Sequence, residues 1–246
     1  MSTNGESDSL ISRRQALILL GAAGASMVAG RTDVYSASAI SKDSPLPACI
    51  VTPKQTEGPF FVDERLKRSD IRVDPSDGNV KSGVPLRLTL RVAAVGGAGC
   101  KPLSGTIVDL WQCDAIGIYS GVNDSGSQSS GAKNFLRGYQ VTETDGSTQF
   151  TTIYPGWYPG RTVHIHFKVR VSAKSGRGQE LTSQLYFDDA LTDRIHAQPP
   201  YAGKGPRTVG NQRDGLFRNG GRQLMLSPVQ SGEGYAATFD IGLQMS

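Results

Sequence analysis

The stretch Ile153-Tyr-Pro-Gly-Trp-Tyr-Pro-Gly-Arg-Thr-Val-His-Ile-His-Phe-Lys-Val169 determines how the rest of this chain is interpreted. From residue 162 onward, polar and apolar side chains alternate, which is the pattern of a β-strand with one apolar face. Apolar residues occupy the odd positions from 163 to 171, and His164 and His166 occupy two of the even positions between them. The two imidazoles therefore project from the same face of one strand.

Two imidazoles on one face of a rigid strand form half of a metal site. Imidazole nitrogen binds zinc, copper and iron, and the strand fixes the separation of the two rings. The His-x-His spacing alone fits equally well a pair of half-exposed histidines on a polar surface. The choice between these interpretations depends on further ligands elsewhere in the chain.

Short β-rich runs separated by glycine and proline indicate an all-β fold. The 246 residues include 30 Gly and 13 Pro, a frequency of turn-forming residues that argues against a helical bundle. Strands are predicted at residues 86–92, 106–113, 135–142, 149–153, 162–171, 181–187, 222–226 and 234–243. The expected fold is a β-sandwich of mixed and antiparallel strands with long loops around the site, formed by one domain over residues 40–246.

The connections between these strands also carry predictions. Residues 52–60 contain proline and glycine and are expected to form an extended arm before the core. Asp145-Gly146 is typical of a hairpin turn. A short helix is predicted at residues 190–196, and residues 199–219 are predicted to be loop.

The charge pattern does not indicate nucleic-acid binding. The net charge is +4 and the isoelectric point is near 9.0, but lysine and arginine are scattered, without a basic stripe. We therefore expect no nucleic-acid partner.

The first 39 residues have the features of an export signal. Arg13-Arg14 precedes an apolar run at residues 16–30, and Ala37-Ser-Ala39 fits an A-x-A cleavage site. The arginine pair resembles the twin-arginine type of signal. An apolar run of about fifteen residues is shorter than the roughly twenty that a membrane-spanning helix needs. We expect residues 1–39 to be a cleavable signal, with no stable membrane span and a periplasmic or secreted mature protein.

The three cysteines lie beyond this segment, where an oxidising compartment permits one disulfide. Cys113 ends a predicted strand, so a bridge to Cys100 would require the chain to fold back along that strand. A bridge from Cys49 to either of the other two is favoured, and Cys49–Cys100 is the preferred pairing.

Tyrosine supplies the missing donors for a metal. No Asp or Glu lies between Asp145 and Glu180, whereas Tyr154, Tyr158 and, earlier, Tyr119 are present. A free phenol has a pKa of about 10, but a trivalent metal stabilises the phenolate at neutral pH. Two tyrosines with two histidines would therefore favour ferric iron.

Three blocks carry a resemblance to a known family: residues 109–119, residues 154–158 and residues 161–167. They resemble the blocks of the intradiol ring-cleaving dioxygenases, the group of catechol 1,2-dioxygenase and protocatechuate 3,4-dioxygenase. The likeness extends, with gaps, from about residue 52 to residue 243. The tyrosine block followed by Arg-x-x-His-x-His is its most specific part.

The resemblance implies a role for eight positions. It makes Tyr119, Tyr158, His164 and His166 the ligands of a non-haem Fe(III). Arg161 matches the active-site arginine, and Gln184 matches a glutamine next to the metal centre. Tyr158, Arg161 and Gln184 would thus be the catalytic residues. Gly58 and Pro59, in the arm, become candidate substrate-pocket residues.

The implied activity is cleavage of a catechol by O2 between its two hydroxylated carbons, giving a cis,cis-muconate-type diacid that contains both oxygen atoms. The catechol itself and the oligomeric state, with a homo-oligomer among the options, stay open. The chain departs from the family in two places. Only two residues separate Tyr158 from Arg161, where the protocatechuate branch has a longer insertion that bears on the pocket rim, and residues 40–85 contain no counterpart of the helical dimerisation segment of the catechol branch. Arg137 is a candidate for contacting a substrate carboxylate.

Alternatives remain for the ligand set and for the class of protein. Tyr154 competes with Tyr158 as a ligand, and His196 is expected to be a surface histidine. A cupin-like metalloenzyme would combine the histidine pair with a carboxylate and His196 and would hold a divalent metal. A secreted β-sandwich binding module would hold no metal.

Overall fold

The structure is a computed structural model that describes residues 49–96, 99–122, 133–172 and 178–245. These residues belong to one compact unit, Pro45–Ser246. The predicted signal, residues 1–39, lies outside the described residues. Among the residues that are described, no helix has the length and apolar character needed to cross a membrane.

The first sheet has five strands. These are β1 (Pro85–Gly96), β2 (Gly99–Pro102), β5 (Ser147–Ile153), β8 (Val229–Ser231) and β9 (Gly234–Gln244). β1 is central: β9 pairs with it in parallel on one side, and β5 and β2 pair antiparallel with it on the other. β8 extends the sheet beyond β9.

The second sheet has four antiparallel strands in the order β4-β3-β6-β7. They are β3 (Ile107–Trp111), β4 (Arg137–Val141), β6 (His164–Val171) and β7 (Gln179–Tyr186). The core lies between the two sheets, where Leu88 and Leu90 of β1 and Ile165 and Phe167 of β6 are fully buried. The predicted all-β fold of mixed and antiparallel strands is confirmed.

In the part of the chain that the structure describes, helical segments are short and lie after β7. They are α1 (Asp189–His196), α2 (Gly215–Arg218) and 3-10 turns at Tyr201–Lys204, Asn211–Arg213 and Gly221–Leu224. α1 confirms the predicted helix, and Asp188 caps it by accepting a hydrogen bond from the Leu191 N–H. The strand predicted at residues 222–226 is wrong, because the chain turns at Gly220 and buries Leu224 in a small cluster with Tyr186 and Phe217.

The turn at Asp145-Gly146 exists but does not form a hairpin. Gly146 has φ +77° and its N–H donates to the Glu143 carbonyl. The strands on either side, β4 and β5, belong to different sheets. The turn therefore carries the chain from one layer of the sandwich to the other.

The predicted extended arm is confirmed and runs toward the histidine strand. Thr52 exchanges hydrogen bonds with Gly242 of β9, and the Gln55 N–H donates to the Thr182 carbonyl of β7. Further along, the Gln184 amide donates to the Thr56 carbonyl at 3.0 Å. The arm thus covers the outer face of the four-stranded sheet.

The start of the arm is held by the Cys49–Cys100 disulfide, which confirms the preferred pairing, and Cys113 is a buried free cysteine. The bridge closes a separation of 51 residues. For a loop of this length the chain-entropy argument gives about 4 kcal/mol of stabilisation. We expect a Cys49→Ser/Cys100→Ser variant to lose a free energy of unfolding of this order in denaturant titrations. Added dithiothreitol should lower the wild-type midpoint and leave the variant unchanged; equal midpoints would contradict this prediction.

Candidate active site

The two histidines of β6 lie on the outer face of the four-stranded sheet and are buried there. His164 is 2% exposed and His166 is 1% exposed, because the arm and neighbouring loops cover this end of the sheet. Their Nε2 atoms are 3.0 Å apart. The interpretation as half-exposed surface histidines is therefore wrong.

Hydrogen bonding and burial set the chemical state of the histidine pair. His164 Nδ1 lies 2.6 Å from the Thr162 carbonyl oxygen and donates to it, which leaves the Nε2 lone pair directed into the site. Burial lowers the pKa of His164 to about 3 and that of His166 well below its ordinary value. Both rings are therefore neutral at physiological pH, as metal ligands must be.

Two tyrosine hydroxyls complete the group. The Tyr158 hydroxyl is 3.2 Å from His164 Nε2, and the Tyr119 and Tyr158 rings meet edge to face with their centroids 5.8 Å apart. Burial raises the pKa of both phenols above the ordinary value. Each phenol therefore keeps its proton unless a strong positive charge is bound beside it.

The loops that carry the two tyrosines pack tightly against each other. The Gly156 N–H donates to the Asp114 carbonyl at 3.1 Å. A Cβ added at Gly156 would lie 2.5 Å from that oxygen and 2.4 Å from the Ala115 carbonyl oxygen, so only glycine permits this approach. The Pro-Gly before Trp157 thereby brings the Tyr158 loop to the Tyr119 loop.

Tyr154, the competing candidate, lies outside the site. Its hydroxyl is 2.7 Å from Thr192 Oγ1 of α1, and its ring packs against Phe187. Tyr158 is the tyrosine of this block that reaches the histidines.

Arg161 and Gln184 adjoin the group and contact each other. Arg161 donates to Gln184 Oε1 at 2.6 Å and forms an ion pair with Asp214 at 2.8 Å. Gln184 pairs with His166 across the strands and accepts from the Tyr186 hydroxyl at 3.2 Å. The arginine is therefore held in place by side chains from two segments, β7 and the residue before α2.

The arm places Gly58 against the site, whereas Pro59 is exposed. A Cβ on Gly58 would lie 3.5 Å from His166 Cε1, and Gly58 has φ +71°. Phe60 stacks on Tyr119 with ring centroids 4.3 Å apart. The arm of this chain thus lines the site of the same chain.

We expect Gly58→Ala to lower kcat/KM about tenfold with the fold retained. A positive φ costs an L-residue about 1–2 kcal/mol, so the alanine should shift the arm away from this conformation. If the same free energy is lost from transition-state binding, kcat/KM falls about tenfold. Gly78→Ala is a matched control, because Gly78 has φ +73° and a Cβ there would meet nothing within 4 Å. Equal activity of the two variants would show that the arm does not shape the site.

His196 is not a surface residue. It is 7% exposed, donates from Nε2 to the Pro155 carbonyl at 3.0 Å and stacks on Tyr201. This hydrogen bond joins α1 to the loop that carries Tyr158, so His196 supports that loop. The described residues contain no group of three or more His, Cys, Asp or Glu side chains that could hold a metal. The arrangement of a cupin-like site with His196 is therefore not present among them.

Arg137 does not present a free guanidinium to a substrate. It is 3% exposed and donates to the Ser120 hydroxyl and to the carbonyls of Ser120 and Phe60. It joins the Tyr119 loop to the arm.

Several residues of the site were not predicted. They are Gln55, Phe60, Trp111, Tyr186 and Asp214. Trp111 stacks on His166 at 4.9 Å, and the Tyr186 hydroxyl donates to Gln55 Oε1 at 2.7 Å. The position of Asp214 before a short helix is typical of a cap, but nothing local indicates its ion pair with Arg161.

The donor set fits a ferric ion. Two neutral imidazoles and two phenols from three separate segments converge in a buried place, and phenolate is a hard anionic donor suited to a trivalent metal. Fold and site together define an all-β protein with a buried His/Tyr donor set.

Comparisons with known proteins agree with this class. A family model described as dioxygenase matches residues 56–200. The β chain of protocatechuate 3,4-dioxygenase from Burkholderia cepacia is 31% identical over 70% of this chain and 71% of its own length. Catechol 1,2-dioxygenase 1 from Acinetobacter lwoffii is 28% identical over 66% of this chain, and the match spans 58% of that enzyme.

A solved structure shares the fold. The intradiol ring-cleavage dioxygenase from Tetranychus urticae superimposes with a TM-score of 0.67 at 30% identity and covers 80% of this chain and 95% of its own. The chain belongs to the intradiol ring-cleaving dioxygenase family.

Proposed function

We propose that this protein cleaves a catechol-type aromatic with O2 between its two hydroxylated carbons, using non-haem Fe(III) and giving a cis,cis-muconate-type diacid. The observation that carries the proposal is the convergence of His164, His166, Tyr158 and Tyr119, with Nε2 atoms 3.0 Å apart and a phenol 3.2 Å from one of them. These four residues would hold the metal. The ferric ion bound there would act as a Lewis acid: it would coordinate both catechol oxygens and make the ring reactive toward dioxygen.

The protein residues would orient the substrate and manage its protons. Tyr158 Oη, held as a phenolate when a ferric ion is bound, would take up a proton from a substrate hydroxyl, and the nearby Arg161 cation favours that phenolate. Arg161 itself would stabilise negative charge that develops on the ring. Phe60, Trp111 and Gly58 exclude water from one side of the site.

Oxygen uptake with a panel of catechols tests the activity. We expect uptake with at least one neutral catechol and, under ¹⁸O2, a product that is heavier than the substrate by both labelled atoms. The purified protein should contain iron and absorb visible light through phenolate-to-Fe(III) charge transfer. A colourless protein with a divalent metal would contradict the ferric site, and a metal-free protein that consumes no oxygen would favour a binding module.

We also propose that residues 1–39 direct export and are removed, leaving the domain at 40–246. The Cys49–Cys100 disulfide supports this, because such bonds persist in oxidising compartments. N-terminal sequencing of the exported protein tests the cleavage site. An Arg13→Lys/Arg14→Lys variant should remain in the cytoplasm; normal export of that variant would contradict a twin-arginine route.

A further inference from the structure

Arg161 is the cation beside the donor side chains. It lies three residues before His164 in the chain, and it donates to Gln184, which pairs with His166 across the strands. Its side chain is 19% exposed, so water screens it only in part. Arg161 is therefore the cation with which a negatively charged group on a bound substrate would first form an ion pair.

That charge is already balanced within the chain. Arg161 Nε lies 2.8 Å from Asp214 Oδ2, and the Asp214 side chain is 1% exposed. The Asp214 carboxylate also accepts from the N–H groups of Thr162 at 2.8 Å, Leu216 at 2.7 Å and Phe217 at 3.0 Å. Burial by itself would raise the pKa of Asp214, but the Thr162 and Phe217 N–H groups and Arg161 lower it below the ordinary value. Asp214 is therefore a permanent anion beside Arg161.

The other cations of the surrounding described strands are also engaged. Lys168 of β6 forms an ion pair with Glu57 of the arm. Arg137 is held by backbone carbonyls and the Ser120 hydroxyl, and Arg170 pairs with Asp109. Lys168 and Arg170 are thus balanced by carboxylates, and the buried Arg137 guanidinium is held by hydrogen bonds within the protein, so none of the three is free to bind a ligand carboxylate.

We propose that this site selects catechols without an acidic substituent and that Asp214 is the residue that determines this selectivity. The proposal rests on the proposed function. A carboxylate attached to the ring would have to enter a buried place where the neighbouring described cations are already bound by groups of the protein, and an unpaired buried charge is strongly disfavoured. Asp214 produces this selectivity because it already pairs with Arg161, the cation that would otherwise pair with the substrate carboxylate.

Binding of two isosteric ligands measures the effect of charge alone. The full-length chain, loaded with redox-inert Ga(III), is titrated calorimetrically with 3,4-dihydroxybenzamide and with 3,4-dihydroxybenzoate at pH 7.5. We expect the neutral amide to bind at least tenfold more tightly, about 1.4 kcal/mol. If the carboxylate binds as well as or better than the amide, the selectivity is overturned while the proposed function stands. If neither ligand binds, the proposed function fails and the selectivity fails with it.

Two variants test the role of Asp214. Asp214→Asn keeps an oxygen that can cap α2 and leaves the Arg161 charge unbalanced. We therefore expect the ratio of the affinities for 3,4-dihydroxybenzamide and 3,4-dihydroxybenzoate to fall below threefold. Gln184→Glu adds a negative charge next to Arg161, and we expect it to increase the affinity ratio in favour of the benzamide. This second variant tests the role of charge at Arg161 even if Asp214→Asn does not fold. An unchanged ratio in the folded Asp214→Asn variant, or a narrowed ratio in Gln184→Glu, would overturn the assignment.

Discussion

Replacing His166 with alanine is expected to abolish iron retention and ring cleavage together. The His166 Nε2 atom lies 3.0 Å from His164 Nε2, so the two rings would bind one metal ion together. Loss of an outer hydrogen-bond partner of a metal ligand typically costs 10–100-fold in affinity or activity, so loss of a ligand should cost at least about 100-fold. The measurements are iron content after dialysis and kcat/KM for the best catechol.

The third histidine provides the control for this prediction. His196 is also buried, but its hydrogen bond is to the Pro155 carbonyl and not to a donor of the site. We expect His196→Gln to retain iron and to lose about 1 kcal/mol of stability, the usual contribution of one hydrogen bond. If His166→Ala keeps its iron, or if His196→Gln loses iron as completely, the proposed ligand set is wrong.

The second large effect is expected on replacing Tyr119 with phenylalanine. The change removes one of the two phenolic oxygens and preserves the stacking of the ring on Phe60. We expect most of the visible absorption of the iron-loaded protein to disappear and kcat to fall at least about 100-fold, since a metal ligand is lost. Absorption spectra at equal iron content and thermal unfolding separate loss of the chromophore from loss of the fold.

Tyr154→Phe is the matched control in the same family block. Tyr154 is as deeply buried, and its hydroxyl contacts Thr192 instead of a histidine. We expect its spectrum to be unchanged. A Tyr119→Phe protein with wild-type colour, or a Tyr154→Phe protein that is bleached, would contradict the assignment of the two tyrosines.

Local patterns predicted the parts of the molecule that depend on neighbouring residues. Alternation identified β1, β6, β7 and β9 and put both histidines on one face, because side-chain direction in a strand alternates with period two. The same reasoning failed at residues 222–226, where burial of Leu224 next to Tyr186 and Phe217 outweighs strand propensity. It also failed at Asp145-Gly146, since a tight turn does not reveal which sheet the next strand will join.

The sequence by itself determined the all-β class and, through its tyrosine and histidine blocks, the family, since these depend on residue order and spacing. Only the tertiary structure decided that both histidines are buried, that Tyr158 and not Tyr154 reaches them, and that His196 supports a loop. It also decided that Asp214 balances Arg161 across 53 residues of chain. Burial and charge pairing of this kind arise when distant segments pack together, so no local pattern encodes them.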